Sequence, residues 1–266
     1  MIQKTIHPIA WSLLILALLT SLSSCRSAPD ALDRVMETGT LRVGMDASFP
    51  PFEYVDETGN LVGFDVDLAQ EIASQIGVEA RFVANLPYDG LYDALTAEQV
   101  DVVISALYVD PTRTADFAYS TPYFDAGQVL VVAEGTEGIA KMEDLDGRTL
   151  AVEFGSAGDV EARMWERRLT ALTILPCQTA DEAMAKVAAG EADAALVDHL
   201  SALMTSVEGM LIVGETVTKE PYAVAMRRED RRLLEAVNKA LAVMQADGTW
   251  DRLQDRWFTI ARRSSR

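Results

Sequence analysis

The sequence predicts an α/β protein built on largely parallel sheet. Three observations carry that reading. Hydrophobic residues make up 49% and charged residues 24% of the 266-residue chain, the mix of an ordinary globular protein. Short apolar runs alternate with segments of helical period from residue 41 onward, which implies βαβ units. A second set of such units follows the first, after a break at Pro122-Tyr123-Phe124. The length suffices for one large α/β domain or two modest lobes.

The elements follow in order. Leu41 to Met45 is a short strand. From Asp65 a helix runs through Val66, Ala69, Ile72, Ala73 and Ile76, spaced for one buried face, with Asp65 as its N-cap and Gly77 as its stop. Val78 to Ala84 returns to strand, and a helix over Leu91–Ala97 leads to the strand Asp101–Ala106. Beyond the break, Gln128 to Ala133 is an apolar strand. Thr149 to Phe154 is a strand, Ala157 to Arg168 a helix, Ala180 to Ala189 a helix, and Ala192 to Val197 a strand. Tyr222 to Met226 reads as a strand and Arg231 to Gln245 as a long amphipathic helix. Trp250, Leu253 and Trp257-Phe258 form an apolar stripe suited to docking on the core. No solenoid-type repeat is visible.

The N-terminus reads as an address. Lys4 precedes the apolar run Ile9 to Leu19, which is shorter than the roughly 20 residues that span a bilayer. That is the shape of a secretory signal. The run closes on Leu22-Ser23-Ser24-Cys25, which resembles the lipobox of bacterial lipoproteins. Residues 1–24 are then a removable signal peptide, Cys25 the lipidated residue, and 25–37 a lipidated tether. The protein is expected outside the cytoplasm, periplasmic or on the cell surface, held to a membrane through Cys25. A thioether at Cys25 leaves Cys177 without a disulfide partner.

Charge narrows the function. A net charge of −18 repels phosphate backbones, so nucleic acid is excluded as a partner. The two cysteines and two histidines show no metal-ligand spacing, and no cofactor or metal is expected. No Ser-His-Asp or Cys-His set stands out, and His199 alone reads as a packed or surface residue.

Ligands of open α/β sheets bind beyond the carboxyl ends of strands. The loops there are Asp46–Tyr54, Asn85–Gly90, Ile104–Arg113, Gly155–Asp159 and Asp198-His199. Together with Leu61–Ala69, Asp101–Ser105, Pro122–Gly127, Glu220-Pro221-Tyr222 and Ala246–Trp250 followed by Trp257-Phe258, they resemble the bacterial extracellular solute-binding proteins of family 3, the polar amino acid receptors of ABC importers. The resemblance covers roughly residues 38–259. It implies a periplasmic-binding-protein-like type II fold, two lobes joined by two crossover strands. Lobe 1 would hold 38–127 and 219–262, and lobe 2 would hold 128–218. It further implies a monomeric, non-enzymatic receptor whose partners are a small amino acid and an ABC permease, with the hinge shutting on the ligand.

The resemblance also assigns roles. Arg113 would grip the ligand carboxylate in a two-pronged contact, and Asp198 would pair with the ammonium. Ser156 and Ala157 open a helix whose free N–H groups add to carboxylate binding. Ser105 and Ala106 would meet the ammonium end, and Phe49 and Tyr88 would flank the side chain. Phe52 is expected in the core. Tyr108 departs from the small hydroxyl residue usual in the family, and Glu153 from its Gln, Leu or Lys. Glu153 and Asp46 place further acids near the side-chain end, which favours a cationic ligand such as arginine, lysine or ornithine; glutamine on Asp46 stays open. Two other functions fit the scaffold. One is a cyclohexadienyl dehydratase-like lyase, with Glu153 as its acid or base. The other is a ligand-sensing receptor, disfavoured by the short tail after Phe258.

Overall fold

A computed structural model of the chain describes residues 30–258. The expected signal peptide, Cys25 and the end of the expected first lobe, 259–262, lie outside them.

The expected tether ends early, because α1 (Ala31–Thr38) is a helix of the folded body. Asp30 caps it by accepting Leu32 N–H at 2.9 Å, and Ala31 and Val35 are fully buried. Then come β1 (Thr40–Gly44), a small antiparallel trio β2 (Ser48–Phe49), β3 (Glu53–Val55) and β4 (Leu61–Val62), and α2 (Phe64–Ile76). β5 (Glu79–Val83), α3 (Leu91–Thr96), β6 (Val102–Val103) and β7 (Phe117–Tyr119) complete this part. The chain crosses through β8 (Phe124–Asp125). It then forms β9 (Gln128–Ala133), β10 (Thr149–Glu153), α4 (Ala157–Glu166), β11 (Thr173–Cys177), α5 (Ala180–Ala188), β12 (Ala194–Asp198), α6 (His199–Met204) and β13 (Met210–Val213). It returns through β14 (Pro221–Tyr222) to β15 (Ala225–Arg227), α7 (Arg231–Ala246) and α8 (Thr249–Trp257).

The two five-stranded sheets share one plan. Their orders are β5-β1-β6-β15-β7 and β11-β10-β12-β9-β13. In each, three parallel strands come first, and the fourth place is taken, antiparallel, by the strand that directly follows a crossing. Each sheet therefore accepts one strand delivered from the other lobe. Among the described residues no helix is long and apolar enough to cross a membrane.

Three expected elements differ. Asp65 lies inside the first turn of α2 and is fully buried. Its carboxylate is drawn inward by Ala106 N–H and Tyr123 O–H, so Gly63 takes the cap position. Gly63 has φ 142°, and a Cβ there would stand 2.0 Å from Phe52 O; only glycine lets α2 start this close to β3. The strand expected over 101–106 stops at Val103, because the chain turns at Ala106, φ 41°. The strand expected over 222–226 is split between β14, paired with β8, and β15, paired with β6 and β7.

The crossings are tied together. Asp125 accepts N–H groups of Gly127 at 3.1 Å and Glu220 at 2.9 Å, and the Thr216 hydroxyl at 3.0 Å. Burial pushes its carboxyl up, but these donors and Lys219 win and hold it below the usual carboxylate range. Phe52, fully buried, packs on Phe124 at 5.0 Å, Tyr222 at 5.6 Å and Phe258 at 5.9 Å, which seats both crossings on lobe 1. On the other side Phe124 stacks on His199 at 4.9 Å, whose Nδ1 lies 2.6 Å from Asp125 O. His199 is thus a packed residue.

A Cβ on Gly127 would stand 2.0 Å from Thr218 O, so the two crossing segments touch backbone to backbone. Gly127→Ala should cost about 2–3 kcal/mol and lower the melting temperature by roughly 5–10 °C in a thermal scan. An unchanged melting temperature would mean that the crossings part freely.

Candidate functional site

The carboxyl ends of the parallel strands in each sheet open onto a hollow. In lobe 1 the hollow measures about 340 Å³ and is lined by Asp46, Phe49, Tyr88, Ser105 and Ala106, all expected, with Ser48, Glu53 and Tyr222. Asp46 lies two residues past the end of β1. Its carboxylate accepts Tyr88 N–H at 3.0 Å, and its own N–H donates to Ser105 Oγ at 3.0 Å, so three loops are laced together. Phe49 and Tyr88 are 41% and 47% exposed, unusual for rings this large; they form open apolar walls. Phe49 stacks flat on the buried Phe52 at 5.7 Å, which holds its outer face to the hollow. Burial raises the Tyr88 hydroxyl pKa although the Tyr108 N–H counters it, so Tyr88 stays neutral.

In lobe 2 the hollow measures about 270 Å³ and is lined by four of the candidate residues, Glu153, Ser156, Ala157 and Asp198, with Ala126, Gln128, Ala180, Val197 and Glu220. Glu153 ends β10 and Asp198 ends β12. Asp198 also caps α6, accepting Ser201 N–H at 2.8 Å through one oxygen. Ser156 caps α4 by accepting Asp159 N–H at 3.2 Å, which leaves the first N–H groups of that helix without a helical carbonyl. Each hollow borrows a wall from the crossings, Tyr222 in one and Ala126 with Glu220 in the other. They therefore adjoin the hinge from opposite lobes.

Two expected residues stand apart. Arg113 lines a different cavity with Tyr92, Asp93, Thr96, Asp116 and Arg228. Its guanidinium lies over the Tyr92 ring at 4.5 Å, and its Nε is 3.5 Å from Asp110. Tyr108 lines neither hollow. Its backbone bridges to Tyr222, flanked by Val109 N–H to Pro221 O at 2.9 Å and Ala223 N–H to Leu107 O at 3.1 Å. The loop carrying Tyr108 and Arg113 is thereby pinned to the second crossing.

Sequence reasoning missed Glu53, Tyr222, Gln128 and Glu220. Glu53 and Tyr222 sat in motifs noted as a whole, but nothing local marks which side chain turns inward. Gln128 opens an apolar strand and was legible as an odd polar residue in it. One property of the two hollows stands out: Asp46, Glu53, Glu153, Asp198 and Glu220 line them, and among the described residues no lysine, arginine or histidine does.

Comparison with known proteins fits this geometry. Residues 41–260 match the bacterial extracellular solute-binding proteins, family 3. The chain is 34% identical over 234 residues to the L-cystine-binding protein TcyJ of Escherichia coli, covering 85% of each chain. It is 31% identical over 262 residues to the lysine/arginine/ornithine-binding periplasmic protein of Escherichia coli, covering 93% of this chain and 96% of that one. Among solved structures, an ancestral cyclohexadienyl dehydratase is similar at a TM-score of 0.75 and 29% identity, over 87% of this chain and 98% of that one. Two sheets of one strand order, joined by two tied crossings and matched over almost all the described residues, place the chain in the family of bacterial extracellular solute-binding proteins, family 3.

Proposed function

We propose that this protein is the extracytoplasmic receptor of an amino acid ABC importer, and that its two hollows close as halves of one site on a cationic amino acid. The acid-only lining of those hollows carries the reading. A zwitterion with a cationic side chain brings two positive groups and one negative. Buried charges need partners, and Asp46, Glu153, Asp198 and Glu220, with no base beside them, select for excess positive charge. Asp198 serves the α-ammonium, Asp46 and Glu153 serve the side chain, and Phe49 and Tyr88 cover its stem. The lysine/arginine/ornithine-binding relative supports this ligand class.

The ligand carboxylate needs a cation, and Arg113 is its partner in this reading. It would leave Asp110, a half-exposed and weak contact, for a bidentate, water-poor one. The Ser156 and Ala157 end of α4 supplies further N–H groups from lobe 2. The receptor acts as a monomer, docks on its permease when closed, and is held to the membrane by lipid on Cys25. Cys25→Ser should move it from the membrane to the soluble fraction.

A second reading, a dehydratase, is favoured by the ancestral cyclohexadienyl dehydratase likeness, with Glu153 as the proton-transfer group. Calorimetry separates the ligands. Arginine, lysine or ornithine should bind, and at a hundred times its Kd the ligand should add about 2.7 kcal/mol of stability. Tight glutamine or cystine binding without a response to cationic amino acids would overturn the cationic assignment. Turnover of prephenate or arogenate would favour the dehydratase.

Arg113→Ala should weaken the bound amino acid by roughly a hundredfold, the cost of leaving a buried carboxylate without its charged partner. Unchanged affinity would remove Arg113 from the site.

A further inference from the structure

Beneath the lobe-1 hollow two carboxyl groups meet. Glu53, on β3, is 1% exposed, and Asp65, on the first turn of α2, is fully buried. The Ser105 hydroxyl donates to Glu53 Oε1 at 2.8 Å. Asp65 Oδ2 accepts Ala106 N–H at 2.6 Å and Tyr123 O–H at 2.8 Å. The two remaining oxygens, Glu53 Oε2 and Asp65 Oδ1, are buried and receive no donor from elsewhere, and the two side chains are within hydrogen-bonding contact of each other. Two carboxylates cannot both stay ionised in such a place. One proton between them satisfies both orphaned oxygens.

The hydrogen bonds decide where that proton sits. Asp65 takes two donors, one short, and lies at the positive end of α2. Glu53 takes only the Ser105 hydroxyl. The titratable groups facing the pair from the surrounding elements are Asp46 after β1, Tyr88, Tyr123 before β8, and Tyr222 on β14. All are acids, so none supplies a positive charge to ionise Glu53.

We propose that Glu53 is a positioning residue that works as a neutral acid, donating Oε2–H to Asp65 Oδ1, so that the pair clamps Ser105 and Ala106 in the shape that lines the lobe-1 half-site. The proposal rests on the receptor reading for its ligand and on the fold for its geometry. Ala106 has φ 41°, a conformation costly for a residue with a Cβ, and the 2.6 Å bond to Asp65 holds it there. With its proton on Oε2, Glu53 keeps Oε1 as the acceptor for the Ser105 hydroxyl. The hydroxyl proton is spent on Glu53 and one lone pair on Asp46 N–H, which leaves one lone pair of the oxygen for an ammonium in the hollow. A charged Glu53 would repel Asp65 and open the clamp.

The pH sign follows from the same pair. Burial first, and then the charge of Asp65, raises the Glu53 pKa far above its ordinary value. The folded protein therefore keeps a proton that the unfolded chain releases. This contribution to stability is complete below the ordinary glutamate pKa and is lost as pH rises toward the folded value.

Glu53→Gln and Glu53→Ala test the proposal. Glutamine keeps a donor toward Asp65 and an acceptor for Ser105, so it imitates the neutral acid. The native protein at neutral pH should show the infrared carbonyl stretch of a protonated carboxylic acid, and E53Q should lack it. Between about pH 5 and 9, E53Q should gain melting temperature relative to the native protein as pH rises. E53Q should bind the amino acid within about twofold of the native protein, whereas E53A should lose about tenfold. The Ala106 amide proton resonance should move in E53A and not in E53Q. Absence of that infrared band, or equal loss of affinity in E53Q and E53A, would overturn the proposal. If no amino acid bound even the native protein, the receptor reading would fail, while the infrared and pH measurements would still decide the state of Glu53.

Discussion

The structure depends on two short strands, β8 and β14, that run side by side between the lobes. The segments that continue them touch at Gly127 and Thr218, where no side chain fits, and Asp125 gathers donors from both segments. Each crossing delivers a strand into the middle of the next sheet rather than to its edge. Sliding one lobe along the other would break those ladders. Rotation about the paired crossings leaves them intact, so bending is the motion the fold permits. Phe52 from one lobe and His199 from the other both pack on Phe124 and anchor the pivot in both lobes.

The pivot brings together two surfaces of one sign. Open, Asp46, Glu153, Asp198 and Glu220 are in contact with solvent and their repulsion is weak. Closing without a ligand would bury like charges in a lower dielectric, an unfavourable step. A cationic amino acid, the proposed ligand, would remove that penalty and so make its difference in the closed state, as a conformational switch requires. In the proposed scheme Arg113 would be a cation held outside the hollow. Its stack on Tyr92 keeps the guanidinium in place at little desolvation cost.

Much of this was legible in sequence, and the parts that were not share a cause. Gln128 to Ala133 and Ala180 to Ala188 were readable because their patterns are local, an apolar run and a helical period. The strand Thr173–Cys177 was not, because Pro176 disguises an edge strand. Helix Ala31–Thr38 was hidden because its buried face is only Ala31 and Val35. The grouping of Asp46, Phe49, Tyr88, Ser105 and Ala106 followed from strand ends and the family pattern together. Asp65 was read as a cap, the usual role of an acid before a helical run, because its true partners, Ala106 and Tyr123, are remote in sequence. Glu53 escaped for the same reason. Its burial is created by the docking of α2 at Gly63, which no window around residue 53 contains.

The central claim is that a small cationic amino acid shuts the two lobes about the paired crossings. Small-angle X-ray scattering of the purified protein with and without saturating arginine tests it directly. The radius of gyration should be smaller with arginine and should show none of that change in Arg113→Ala at the same concentration. Binding of arginine by the native protein with an unchanged radius of gyration would contradict it.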